Sequence, residues 1–109
     1  MRQNNREKGK RGERLFKNLL SKFFPEIRRN AGTQSQSGGV DLENTGNFDF
    51  EVKNGKTYTL TKIRAMLDQV EEEGKEDHYK VVLVKPDREE PYALMPYSTF
   101  EKILEELLS

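Results

Sequence analysis

Leu15, Phe16, Leu19, Leu20, Phe23 and Phe24 recur at helical spacing, which predicts a helix over about Lys10–Phe24 stopped by Pro25. Residues 1–8 are polar and read as a flexible basic arm, with residues 9–109 as a single domain. Ile27 to Ala31 reads as a short strand, and the GTQSQSGG of residues 32–39 as a loop. Gly39–Glu43 and Asn47–Lys53 then alternate apolar and polar residues on either side of Asn44-Thr45-Gly46, the pattern of a β-hairpin. A second helix is predicted over about Thr61–Glu73, with Ile63, Met66, Leu67 and Val70 on one face and Gly74 as its C-terminal cap. Lys80–Lys85 is a largely apolar run, as in a strand buried on both faces. Tyr92–Met95 gives a last short strand, and Ser98-x-x-Glu101 opens a final helix with a capping box. The predicted order is α-β-β-β-α-β-β-α, an α/β fold with a central mixed sheet flanked by helices.

The hairpin holds the most unusual chemistry. Alternation puts Val40, Leu42, Phe48, Phe50 and Val52 on a core face and Asp41, Glu43, Asp49, Glu51 and Lys53 on the other. A Thr45-Gly46-Asn47 loop sets Leu42 opposite Phe50, Asp41 opposite Glu51 and Glu43 opposite Asp49. Like charges directly opposed destabilise a sheet. Two carboxylates about 4 Å apart repel by ~4 kcal/mol at an effective dielectric of about 20. Two readings fit this face: an exposed acidic strand pair with splayed side chains, or a divalent cation, Mg²⁺ or Mn²⁺, held by the oxygen donors. Lys53 extends the second reading, because an ammonium beside the ion orients an attacking water. Glu13 lies on the core-facing stripe of the first helix, where an acid needs a partner or marks a helix N-terminus. The amides and Ser/Gln side chains of the 32–39 loop offer phosphate contacts.

Composition narrows the field. The 109 residues include 19 Lys+Arg and 19 Asp+Glu, a net charge of zero. Residues 1–32 carry ten bases and three acids, +7, and the remainder nine bases and sixteen acids, −7. A basic front suits a polyanion; a solvated helix with a basic tail is the plainer alternative. Charged residues make up 35%, and no apolar run approaches ~18 residues, so neither a membrane span nor a signal peptide is expected. There is no Cys and one His, which excludes disulfides, thiolate metal sites and a cysteine nucleophile. A small cytoplasmic domain is the expectation.

Glu13, Val40-Asp41 and Glu51-Val52-Lys53 together resemble the PD-(D/E)xK nuclease signature, with Val40-Asp41 in place of the usual Pro-Asp pair. The resemblance spans roughly residues 9–96 and is closest to the archaeal and viral Holliday-junction resolvases. It implies a restriction-endonuclease-like core and a Mg²⁺-dependent endonuclease of DNA recombination and repair. It implies that Asp41, Glu51 and the Val52 carbonyl bind the metal, that Lys53 positions water, and that Glu13 completes the metal's surroundings. Lys10, Arg11, Arg14, Lys17, Arg28 and Arg29 become the phosphate contacts, with the Arg2/Arg6/Lys8 arm and Ser35 or Ser37 of the loop. The chain also resembles the virus-type replication-repair nucleases, in which a following helix carries Gln; Gln69 stands at that place. Glu43 and Asp49 match no family role and are expected to be solvated or to hold a weak second ion.

A junction resolvase needs two active sites on a two-fold axis, which implies a homodimer. The Tyr92–Met95 strand and the apolar face of Phe100, Ile103, Leu104, Leu107 and Leu108 either form that contact or pack internally. His78 reads as a strand-edge residue, the Glu71-Glu72-Glu73 run as a solvated helix end, and Tyr58 as structural. The competing classes are a flap or general DNA nuclease, a non-catalytic DNA-binding module on the same fold, and an acidic protein-interaction domain.

Overall fold

The computed structural model describes residues 5–30, 40–53 and 58–109, residues 5–9 by backbone alone. The order is α1 (Asn5–Leu20), β1 (Arg28–Arg29), β2 (Leu42–Glu43), β3 (Phe48–Lys53), α2 (Leu60–Glu73), β4 (Tyr79–Val84), β5 (Tyr92–Leu94) and α3 (Tyr97–Leu108). This is the α/β order expected, built on two sheets rather than one. The larger is mixed: β4 lies parallel to β3, with Phe48 opposite Tyr79 and Lys53 opposite Val84, and antiparallel to β5. The smaller is β1 against β2, antiparallel, with Arg28 opposite Glu43.

The expected hairpin is not formed. Asn44 and Gly46 both take positive φ (62° and 59°), and the Asn44 side-chain amide donates to the Glu26 carbonyl at 3.0 Å. That turns β2 toward β1, where Glu43 faces an arginine instead of Asp49, relieving the like-charge opposition of the hairpin register. Just before β2, the Asp41 N–H still donates to the Phe50 carbonyl of β3 at 3.2 Å.

Two apolar clusters sandwich the main sheet. Phe16, Ile27, Leu42, Phe50, Val52, Val81 and Leu83 are buried on the α1 side, and Val40, Val70, Val82 and Val84 on the α2 side. Val40 therefore does not share a core face with Leu42. Because α2 covers the second face, Asp49 and Glu51 are buried there (5% and 2% exposed) and not solvated. Tyr58 packs structurally against the α2-side cluster.

Several boundaries move for local reasons. α1 begins at Asn5, within the segment expected to be an arm, and ends at Leu20, whose carbonyl accepts from the N–H groups of Phe23 and Phe24. α2 starts one turn-residue earlier than predicted because the Thr59 hydroxyl accepts from the Lys62 N–H at 3.2 Å; Gly74 caps its end as expected. α3 opens at Tyr97 after Pro96, whose carbonyl takes the Thr99 and Phe100 N–H groups, so the Ser98 capping box is not used. Leu107 and Leu108 of α3 are exposed, as are Tyr97 and in part Phe100. Among the described residues no helix is long and apolar enough to cross a membrane.

Candidate functional site

The site is assembled at the edge of β3 that β4 does not use. Along an extended strand the Phe50 carbonyl and the Val52 N–H point to the same side. Asp41 satisfies both: its N–H reaches the Phe50 carbonyl, and its Oδ2 accepts from the Val52 N–H at 2.8 Å. A carboxylate thus stands in for a missing strand and is fixed beside Glu51.

Glu51 points from the middle of β3 into the layer under α2. Its carboxyl lies in hydrogen-bonding contact with the carboxyls of Asp41 and Glu73. Its Oε2 is buried and has no hydrogen-bond partner. Burial first, then the contacts and charges of Asp41 and Glu73, push the Glu51 carboxyl up to about 10. Without a cation, Glu51 therefore keeps its proton at neutral pH. Lys53 ends β3 on the same face, half-buried, and its ammonium has no hydrogen bond or ion pair with another described residue.

Glu13 approaches from α1. Its Oε1 accepts from the Arg29 Nε at 3.2 Å. Burial and the neighbouring Asp41 charge raise its carboxyl above the ordinary range, while Arg29 and Lys10 oppose them. The Asp41 charge thus acts on both Glu13 and Glu51. The Gln69 Nε2 donates to Glu73 Oε1 at 3.0 Å.

Other expectations need correcting. Glu43 is neither solvated nor spare: it pairs with Arg28 at 3.1 Å. Asp49 is a structural anchor, accepting from the Lys75 N–H at 2.6 Å, pairing with His78 Nδ1 at 2.9 Å and facing Lys80 Nζ at 3.4 Å. His78 is accordingly more than a strand-edge residue. Buried Lys80 also donates to the Lys75 and His78 carbonyls, tying the loop after α2 to β4. Of the three glutamates ending α2, Glu71 and Glu72 are exposed but Glu73 is half-buried against Glu51. Glu73 was legible in one respect: it sits three residues after Val70, on the stripe that meets the sheet.

The basic residues divide by role. Arg28 and Arg29 spend part of their charge on Glu43 and Glu13. Arg11 and Arg14 are exposed on α1, and Lys10 and Lys17 half-buried. Ser35 and Ser37 lie outside the described residues, as do residues 1–4.

The donor set fits a hard divalent cation in kind. Every group is an oxygen donor, one of them a buried carboxyl oxygen without a donor of its own. Among the described residues, no three or more His, Cys, Asp or Glu side chains are arranged to hold an ion as they stand. Comparison with the known protein families, with curated proteins and with solved structures returns no match.

Proposed function

We propose that this chain is a divalent-metal-dependent endonuclease acting on DNA, with a restriction-endonuclease-like core and a preference for branched substrates such as four-way junctions. The observation that carries the reading is Glu51: a glutamate buried to 2% exposure, touching two further carboxyls and followed at two residues by a lysine with no ion pair among the described residues. Burying acids together is costly without something to compensate their charge, and Asp…Glu-x-Lys is the arrangement the nuclease resemblance calls for.

In this reading Asp41 and Glu51, with the Val52 carbonyl, hold Mg²⁺, for which Mn²⁺ can substitute. The cation supplies Lewis acidity toward a phosphoryl oxygen and makes water a competent nucleophile at neutral pH. Lys53 orients that water and offsets charge developing on the phosphate. Glu13, tethered to Arg29, bounds the site on the α1 side, where its carboxyl lies within the field of Asp41. Arg11, Arg14, Lys17 and Lys10 on α1, with Arg28 and Arg29 beside it, hold the DNA backbone without reading bases. A homodimer supplies the paired sites that a junction needs.

A substrate panel tests the assignment. Labelled four-way junction, flap, nicked and linear duplex of matched sequence are incubated with Mg²⁺ and with EDTA. The junction is expected to be cut fastest, with Lys53→Ala losing about a hundredfold or more in rate while still binding DNA. Equal rates on all four substrates would remove the junction preference and leave a general nuclease. DNA binding with no cutting of any substrate favours a binding module on the same fold.

A further inference from the structure

We propose that Phe23, exposed just past the end of α1 beneath the Lys22 ammonium, is a stacking contact for a base left unstacked at a branch point of the DNA, and so sets the preference for branched over continuous duplex. This rests on the DNA-binding part of the reading above and deepens it by naming what in the substrate is recognised; no cation enters it.

Two consecutive phenylalanines follow α1 with opposite fates. The Phe24 ring packs edge-on against Phe48 and Phe50, its centroid 6.2 Å from each. Phe23 is 65% exposed, and Leu19, one turn earlier, 45%. The backbone that presents Phe23 is fixed by hydrogen bonds. Its N–H and that of Phe24 both donate to the Leu20 carbonyl, at 2.9 and 3.0 Å, and the Ile27 N–H closes the next turn onto the Phe24 carbonyl. The Ser21 hydroxyl donates to the Asn18 carbonyl at 2.8 Å. With Phe24 anchored in the core, Phe23 is held outward on a set turn, so a partner meets a ring that needs little ordering.

The surroundings of this ring point to its partner. Lys22 Nζ stands 5.2 Å from the Phe23 ring centroid, a cation over an aromatic face. Arg11, Arg14, Asn18 and Lys22 follow at steps of three, four and four, so they run as one exposed polar stripe down α1 and into the turn after it. Over residues 10–25 the one acid is Glu13, and it faces Arg29. The exposed Leu107 and Leu108 of α3, by contrast, follow Glu105 and Glu106 in the chain. An aromatic ring at the end of a basic stripe suits nucleic acid with unpaired bases: phosphates meet the cations while a base stacks on the ring. In a continuous duplex the bases stack on one another and offer the ring no face. At a branch point that stack is interrupted, and the cost of exposing a base is least.

Fluorescence anisotropy of the full chain in EDTA, with a labelled four-way junction, oligo(dT) and continuous duplex, tests this without reference to cleavage. Phe23→Ala is expected to bind the junction and oligo(dT) about tenfold more weakly and the duplex as wild type does. Its salt slope should be unchanged, because no charge is lost. Arg14→Ala should instead weaken binding to all three and lower the slope by about one. The chain has no Trp, so Phe23→Trp carries a single indole. It should keep the junction affinity, and its emission should be quenched by the junction and oligo(dT) but not by the duplex. A folded Phe23→Ala that binds junction and duplex in the wild-type ratio would overturn the stacking contact and leave DNA binding standing. So would a change confined to oligomeric state in sedimentation, which would give the ring to a second copy of the chain. The expected losses in a protein that cuts no DNA would uphold the contact and remove the endonuclease. No DNA binding by wild type would overturn both.

Discussion

Glu51 concentrates the physics of the site. Its folded carboxyl titrates near 10 against an ordinary value of 4.5, so between these pH values the folded chain holds a proton that the unfolded chain has lost. The contribution of Glu51 to the stability of the metal-free protein is therefore fully present below about 4.5 and is lost as pH rises toward 10. Glu51→Gln, which cannot ionise, should flatten that decline, as thermal melts in EDTA from pH 5 to about 9 would show. Asp49 is an acid of the opposite kind, tied to His78, Lys80 and a backbone N–H. Asp49→Ala leaves Lys80 buried without its counter-ion and should cost about 3 kcal/mol in a denaturant titration. Asp41 and Glu51 were legible in the sequence because the alternation and the Glu-x-Lys spacing mark them. Asp49 was not, because strand alternation puts it on the same face and says nothing of what covers that face.

The helices and strands were readable where a single period dominates. The apolar run of β4 and the stripe Ile63, Met66, Leu67, Val70 on α2 correspond to a central strand and the helix laid over it. The hairpin failed as an expectation because two positive-φ residues in its turn, Asn44 and Gly46, redirect β2 to a partner 15 residues upstream of Glu43. Pairing at that distance leaves no local mark beyond complementary charge. Gly74 has a second task besides capping α2. A side chain there meets Asp49 Oδ2 at 2.4 Å and Lys80 Cε at 2.8 Å. Gly74→Ala should therefore destabilise by about 1–3 kcal/mol, as overpacking does, and a urea midpoint below that of wild type would show it.

Taken as a molecule, the chain separates its charges. Basic α1 and β1 flank the carboxyl cluster on one side, while the α2 end and its following loop are acid-rich. DNA binding through the basic face should weaken steeply with salt, and an Arg11→Ala/Arg14→Ala/Lys17→Ala variant should show a shallower slope of log K against log salt by about two to three. An unchanged slope in fluorescence anisotropy would place the DNA elsewhere. The β5 edge and the exposed Tyr97, Leu107 and Leu108 of α3 offer one apolar surface for the proposed homodimer. Order and class of the fold were accessible from pattern alone. The division into two sheets was not, since it depends on which strand β2 chooses.

The most direct test is the nicking of one labelled four-way junction by wild type and by Asp41→Asn, in Mg²⁺ and in EDTA. The account predicts cleavage by wild type in Mg²⁺ only, and a loss of about a hundredfold or more in Asp41→Asn with its fold intact. Equal cutting by the folded variant, or no cutting by wild type in Mg²⁺ or Mn²⁺, would contradict it.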